Sequence, residues 1–239
     1  MNKKLLFSAI LFLSFFSLEA RAEESLSRKF SLGGQLTGGN TQVQSLHFDF
    51  NINRNRKWRE EATFKGSFDR EISTGIDTQF RLWSAYRYAR SLNKSLFNYI
   101  KLEATHDRFQ NIELRFIPAI GVGNWFADSD DLKFKLEGAF GYQKEYFIDK
   151  SHDEAWLITL SSDLNYGLVA NDLDIYIAPK DLNNYRLTNI TKFRIKLNDH
   201  YAFKWLLREE YNNRPPAGIQ KNDLSFTTSL EYTFNKSFL

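Results

Sequence analysis

The sequence predicts an all-β fold: a single antiparallel transmembrane β-barrel of about 12 strands with periplasmic termini. Three observations carry this. Apolar and polar residues alternate with period two over most of the chain. A helix turns successive side chains by about 100° and cannot keep such a face. Most of the alternating segments run 11 to 16 residues. Strands of globular proteins average about 5–6 residues, whereas a tilted strand crossing a bilayer needs about 9–11. Finally, the strand count is even, and the connections alternate on average between shorter turns and longer loops, as in outer-membrane barrels.

Composition narrows the alternatives. The 239 residues include no Cys, which removes disulfide scaffolds, cysteine zinc sites and cysteine nucleophiles. Thirty-two Lys+Arg against 29 Asp+Glu leave the chain without the basic excess of a nucleic-acid binder, so no nucleic acid is expected as a partner. Aromatics make up 16% of the chain, too many for a disordered one.

The first element is a targeting segment. Lys3 and Lys4 are followed by an uncharged apolar run, Leu5–Leu18, and then by Ala20-Arg21-Ala22. A basic start, a short apolar stretch and a small-x-small site make a cleaved signal peptide over 1–22, leaving 23–239 as the barrel. The run is shorter than the roughly 20 residues of a spanning helix. With no Cys after it, a lipoprotein is excluded.

The strands follow in order at 28–38, 42–53, 58–70, 77–90, 96–108, 112–126, 132–146, 154–169, 172–179, 184–197, 201–212 and 222–234. The second shows the pattern clearly: Leu46, Phe48, Phe50 and Ile52 alternate with Ser45, His47, Asp49 and Asn51. In the seventh, Leu132, Phe134, Leu136, Phe140 and Tyr142 oppose Lys133, Lys135, Glu137 and Gln143. The tenth sets Leu187, Phe193, Ile195 and Leu197 against Arg186, Lys192, Arg194 and Lys196. The last sets Leu224, Phe226, Leu230, Tyr232 and Phe234 against Asp223, Ser225, Thr227, Ser229, Glu231 and Thr233. Short periplasmic turns are expected at Arg54–Lys57, Ser91–Ser95, Ala127–Asp131, Ala170–Asn171 and Asn198–His200, rich in turn residues. The longest opposite connection is Asn213–Lys221.

In a bilayer the apolar face looks outward and the charges look inward. The lumen-facing candidates are Arg59, Glu61, Arg81, Arg87, Glu103, Arg115, Lys133, Lys135, Glu137, Arg194, Arg208 and Glu231. Lys65, Lys101, Asp107, Arg186, Lys192, Lys204 and Glu210 join them on the same phase. Thirteen of these are basic and six acidic, so a conducting pore with this lining should prefer anions. Twelve strands lie between a side-chain-filled barrel and a wide channel, so two readings stand: a narrow passive pore or a filled structural barrel. Trp58, Trp83, Trp125, Trp156 and Trp205, with Tyr86, Tyr88, Tyr142, Tyr146 and Tyr211, read mainly as membrane-interface anchors. Trp83, Phe97 and Tyr99 are the inward aromatics open to a sugar-stacking role.

The stretch from Phe30 through Gly33-Gly34 to Gly38-Gly39-Asn40-Thr41 resembles the opening of the YdiY-like, salt-induced outer-membrane proteins. Asp107 to Arg115, Gly121-Val122-Gly123, Gly141 to Glu145, Pro215-Pro216-Ala217-Gly218 and Ser229 to Phe234 extend the resemblance over nearly the whole mature chain. It implies a barrel in the outer membrane of a Gram-negative bacterium, a domain of unknown function and a link to envelope or salt stress. It implies no catalytic or binding residue. Membrane lipid, small ions or solutes, and the barrel-assembly machinery during biogenesis are the partners expected. Such barrels usually end on an aromatic, yet Phe234 is followed by Asn235 to Leu239, so the last strand either slides on to Phe238 or leaves a tail.

Chemistry has weaker footholds. An outer-membrane phospholipase would need a Ser-His-Asn set; His47 lies near Ser45 and Asn51, and His106 shares a face with Asn98. Neither spacing is specific. His47, His106, His152 and His200 lie on different elements and show no paired metal spacing. No catalytic residue, cofactor or metal is expected. The remaining alternatives are an outer-membrane hydrolase and a soluble periplasmic β-protein.

Overall fold

The computed structural model describes residues 24–37, 43–56, 60–215 and 219–237. The signal segment, the 38–42 connection, Trp58, Arg59 and Phe238 lie outside these residues. The described residues form twelve strands and no helix. They are β1 (Glu24–Thr37), β2 (Val43–Arg56), β3 (Glu60–Ser73), β4 (Ile76–Ser91), β5 (Leu96–Asp107) and β6 (Ile112–Asp128). β7 (Leu132–Phe147), β8 (His152–Tyr166), β9 (Val169–Ile177), β10 (Tyr185–Lys196), β11 (Tyr201–Asn212) and β12 (Asn222–Ser237) complete them.

Each strand pairs antiparallel with its sequence neighbours, and β1 closes the barrel on β12. The seam runs from Ser25↔Ser237 to Gly33↔Ser229. Closure satisfies every edge, which is what a sheet in hydrocarbon must achieve. Fourteen residues at about 3.3 Å each, tilted about 40°, rise roughly 35 Å, enough to cross the apolar layer. The seam also explains Gly33. A Cβ there would sit 2.2 Å from the Thr228 carbonyl oxygen, so only glycine lets the strands close at that point.

The outer wall is apolar. Leu82, Ile100, Ile120, Val122, Phe140, Leu160, Phe226 and Leu230 are exposed there. Their chain neighbours of opposite phase, such as Thr105, Gln143, Thr159 and Ser229, are buried. This inversion is stable in lipid and would be unstable in water.

Two turns depart from the sequence expectation. The β8–β9 turn lies at Gly167-Leu168, not at Ala170–Asn171. Gly167 adopts φ +56°, a left-handed conformation that glycine reaches without strain. Strand β2 runs on to Arg56, so Arg54 to Arg56 belong to the ladder, not to a turn. Register shifts interrupt the β5–β6 and β6–β7 pairings, and bulges of this kind sharpen local twist. The last strand passes Phe234 and continues to Ser237.

Candidate functional site

The site is the lumen, because strands far apart in the sheet meet there through their charged side chains. Arg81 on β4 donates from Nη1 to Glu210 on β11 at 2.5 Å. Five steps around the barrel separate those strands, so this pair spans nearly the full lumen. Gln110, from the β5–β6 turn, donates to the other Glu210 oxygen at 3.3 Å. The pair is well shielded, with side chains 13% and 15% exposed.

A second network fills the lumen beside β1, β2, β3 and β11. Lys204 donates to Ser31 Oγ at 2.7 Å and to Asp49 at 2.6 Å. His47 Nε2 faces the same Asp49 oxygen at 2.9 Å, and its Nδ1 makes a short contact with Asp69. Arg208 then donates to Asp69 at 3.3 Å. Lys204, His47, Asp69 and Arg208 are buried, so each charge needs its partner. The chain of contacts supplies one at every step.

Farther round, the Tyr176 hydroxyl donates to Glu103 at 3.1 Å, bridging β9 and β5. Lys101 pairs with Glu103 at 2.9 Å and reaches Asp174 at 3.8 Å. Arg115 pairs with Glu145 at 2.6 Å, and Arg194 with Glu231 at 2.8 Å. Arg87 reaches Glu137 at 2.8 Å and Glu61 at 3.5 Å. Lys135 meets Glu137 at 2.8 Å. Lys133, half exposed at the end that carries the termini, lies 3.7 Å from Asp128. Arg59 lies outside the described residues.

The lining is less basic than the sequence count suggested. Asp49, Asp69, Glu145, Asp163, Asp172 and Asp174 also point into the lumen, so the charges come close to balance. Asp49 and Asp69 share the odd-number phase of Glu61 and Lys65, and that phase was the signal that could have found them. Asp172 and Asp174 alternate with Leu173 and Ile175 in β9, so the same period could have found them, although periodicity placed the β8–β9 turn three residues late. Lys29 joins the bases, set among Glu231, Arg194, Lys204 and Lys192.

The lumen also holds apolar matter. Ala89, Phe97 and Tyr99 form one buried cluster with Trp125 and Ala139 packed on it. Ile117, Leu157, Tyr176 and Ala178 form another. A Cβ on Gly123 would lie 2.3 Å from the Phe97 ring, and one on Gly121 would lie 2.6 Å from the Tyr99 ring. The two glycines therefore let both rings lie flat against the wall. Arg87 sits over both rings, at 5.2 and 4.8 Å from their centroids. These aromatics pack inside the protein and offer no open stacking face. Trp125 faces inward, a correction to its reading as an interface anchor. Trp156 does face outward, stacked on Phe140 at 5.0 Å.

No serine hydroxyl bonds to His47 or His106 among the described residues. His47 is taken up by two carboxylates, and His106 Nδ1 donates to the Glu113 carbonyl at 2.8 Å.

The chain is similar to several solved outer-membrane proteins. The COG4313 outer-membrane channel from Pseudomonas putida F1 is similar at TM-score 0.50 and 10% identity, over 91% of this chain and 97% of that one. A NanC porin is similar at TM-score 0.46 and 9% identity, over 88% and 97%. A KdgM porin in complex with disordered oligogalacturonate is similar at 0.42 and 9%, over 89% and 99%. No curated protein matches the sequence. A closed twelve-stranded barrel with an apolar outer wall belongs in the bacterial outer membrane. The model of one family, described as protein of unknown function, DUF481, matches residues 30–234, and the chain belongs to that family.

Proposed function

We propose that the protein is a narrow passive ion pore of the outer membrane that rests nearly closed, bridged by its own side chains. The observation that carries this reading is the Arg81–Glu210 pair across the lumen. Folded loops plug many barrels, but here every connection among the described residues is short, and side chains take that place. The near-balance of lining charge supports weak ion selectivity, in place of the anion preference that the sequence count favoured. No catalytic step belongs to this reading.

The same proposal includes a leader cleaved after residue 22, insertion by the barrel-assembly machinery, and termini on the periplasmic side. Short turns at the terminus end support that orientation. It also carries the salt-stress link implied by the family resemblance. A rise in protein level at high osmolarity tests that link.

The test of the pore itself is conductance of refolded protein in a planar bilayer. Small, infrequent steps with a reversal potential near zero in a KCl gradient are expected. Silence from protein shown to be folded and inserted would overturn the pore and leave a filled structural barrel.

A further inference from the structure

The outer wall carries a feature that the lumen reading does not use. A groove of about 890 Å³ crosses the lipid-facing surface of β4 to β8. Its floor is one row of registered residues: Arg90 opposite Asn98, Asn98 opposite Val122, and Val122 opposite Gly138. The next outward row, Tyr88, Ile100, Ile120, Phe140 and Ile158, is bulkier and forms a wall. The depression arises because the floor thins to a bare backbone: a Cβ on Gly138 would meet nothing within 4 Å.

The row also climbs through the membrane. Arg90 is one residue from the end of β4, whereas Gly138 is six residues inside β7. Both counts are taken from the end of the barrel that carries the termini. Three strand spacings of about 4.8 Å separate them, roughly 14 Å. At a strand tilt of about 40°, some 9 Å of that is depth. The groove thus starts at a polar rim and ends in the apolar layer.

The rim is suited to an anion. Arg90 is exposed at the rim, where a ligand can reach its guanidinium. Glu60 stands opposite it in register on β3. Asn98 adds an exposed amide beside it. A cation at the interface above an apolar trough matches one ligand chemistry, a phosphate ester joined to an acyl chain.

We propose that this groove holds one glycerophospholipid of the periplasmic leaflet, its phosphate on Arg90 and an acyl chain laid over Gly138. The site is independent of whether the lumen conducts. It is distinct from the general lipid contact of the outer wall, because it has both a defined length and a charged end.

The test is native mass spectrometry of the full chain in detergent, titrated with phosphatidylglycerol or phosphatidylethanolamine. The wild type should retain one lipid of either kind, since the phosphate is common to both. Gly138→Leu fills the trough and should weaken retention about tenfold, with Gly138→Ala in between. Arg90→Ala removes a charge-assisted hydrogen bond and should also cost about tenfold. Leu230→Ala, on β12 and away from the groove, should change nothing, and inorganic phosphate should not displace the lipid. Heat-modifiable electrophoretic mobility confirms that each variant is folded. Three results would overturn the proposal: wild-type retention by both groove variants, equal weakening by Leu230→Ala, or displacement by inorganic phosphate. A Gly138→Leu protein with unchanged lipid binding but a lost oligomer would assign the groove to a second copy of the chain, and would overturn it too.

Discussion

Removing the Arg81–Glu210 bridge should change both the stability of the barrel and its conductance. The two groups meet at 2.5 Å with little solvent access. Truncating one partner of such a pair strands the other charge and typically costs about 3–5 kcal/mol. Glu210 would keep Gln110, and Arg208 lies nearby. Asp69 and Asp107 lie near Arg81. Each single variant, Arg81→Ala or Glu210→Ala, should therefore fall at the lower end, about 3 kcal/mol. The double variant leaves no stranded charge and should cost clearly less than the sum, with a coupling of about 2 kcal/mol or more. It also deletes the widest of the side-chain bridges across the lumen, so bilayer steps should grow in size and frequency. Urea unfolding from lipid vesicles, followed by tryptophan fluorescence, measures the first quantity, and planar-bilayer recording measures the second. Costs that add within about 0.5 kcal/mol, together with wild-type conductance, would refute the bridge as a closing element.

Three other outcomes follow from the same structure. Leu160→Arg, on the lipid face, should cost about 2–4 kcal/mol if it lies near the bilayer centre. Ser161→Arg, one residue on and in the lumen, should cost less and alter conductance instead; urea unfolding and single-channel recording separate the two. Gly123→Ala forces a Cβ to within 2.3 Å of the Phe97 ring. It should destabilise by about 1–3 kcal/mol through overpacking, read as a lower urea midpoint. Gly167→Ala places a side chain at φ +56° and should cost about 1 kcal/mol in the same assay.

The strands themselves were legible because a period of two follows from backbone geometry alone. Leu224 to Phe234 and their polar neighbours mark inside and outside without any knowledge of what surrounds them. The β8–β9 turn was misplaced because Ala170–Asn171 lies in a short polar stretch where the alternation is weak. The deciding property there was the freedom of Gly167 to take a positive φ. The lining acids Asp49 and Asp69 lay on the legible phase and could have been read from it; their partners could not.

Period, segment length and the even strand count by themselves determined an outer-membrane barrel and the direction most side chains face, though not that of Trp125. Tertiary structure alone decided who meets whom across the lumen. Arg81 and Glu210 stand 129 residues apart in the chain, and no local pattern links them; closure of β1 on β12 brings them together. The same holds for the flat seating of Phe97 and Tyr99 against Gly123 and Gly121, which turns an apparently polar lining into one with apolar packing. It holds again for the bare floor at Gly138. Alternation is a property of one strand, whereas a bridged lumen and a groove across five strands are properties of register and closure, and these exist only once the sheet has formed.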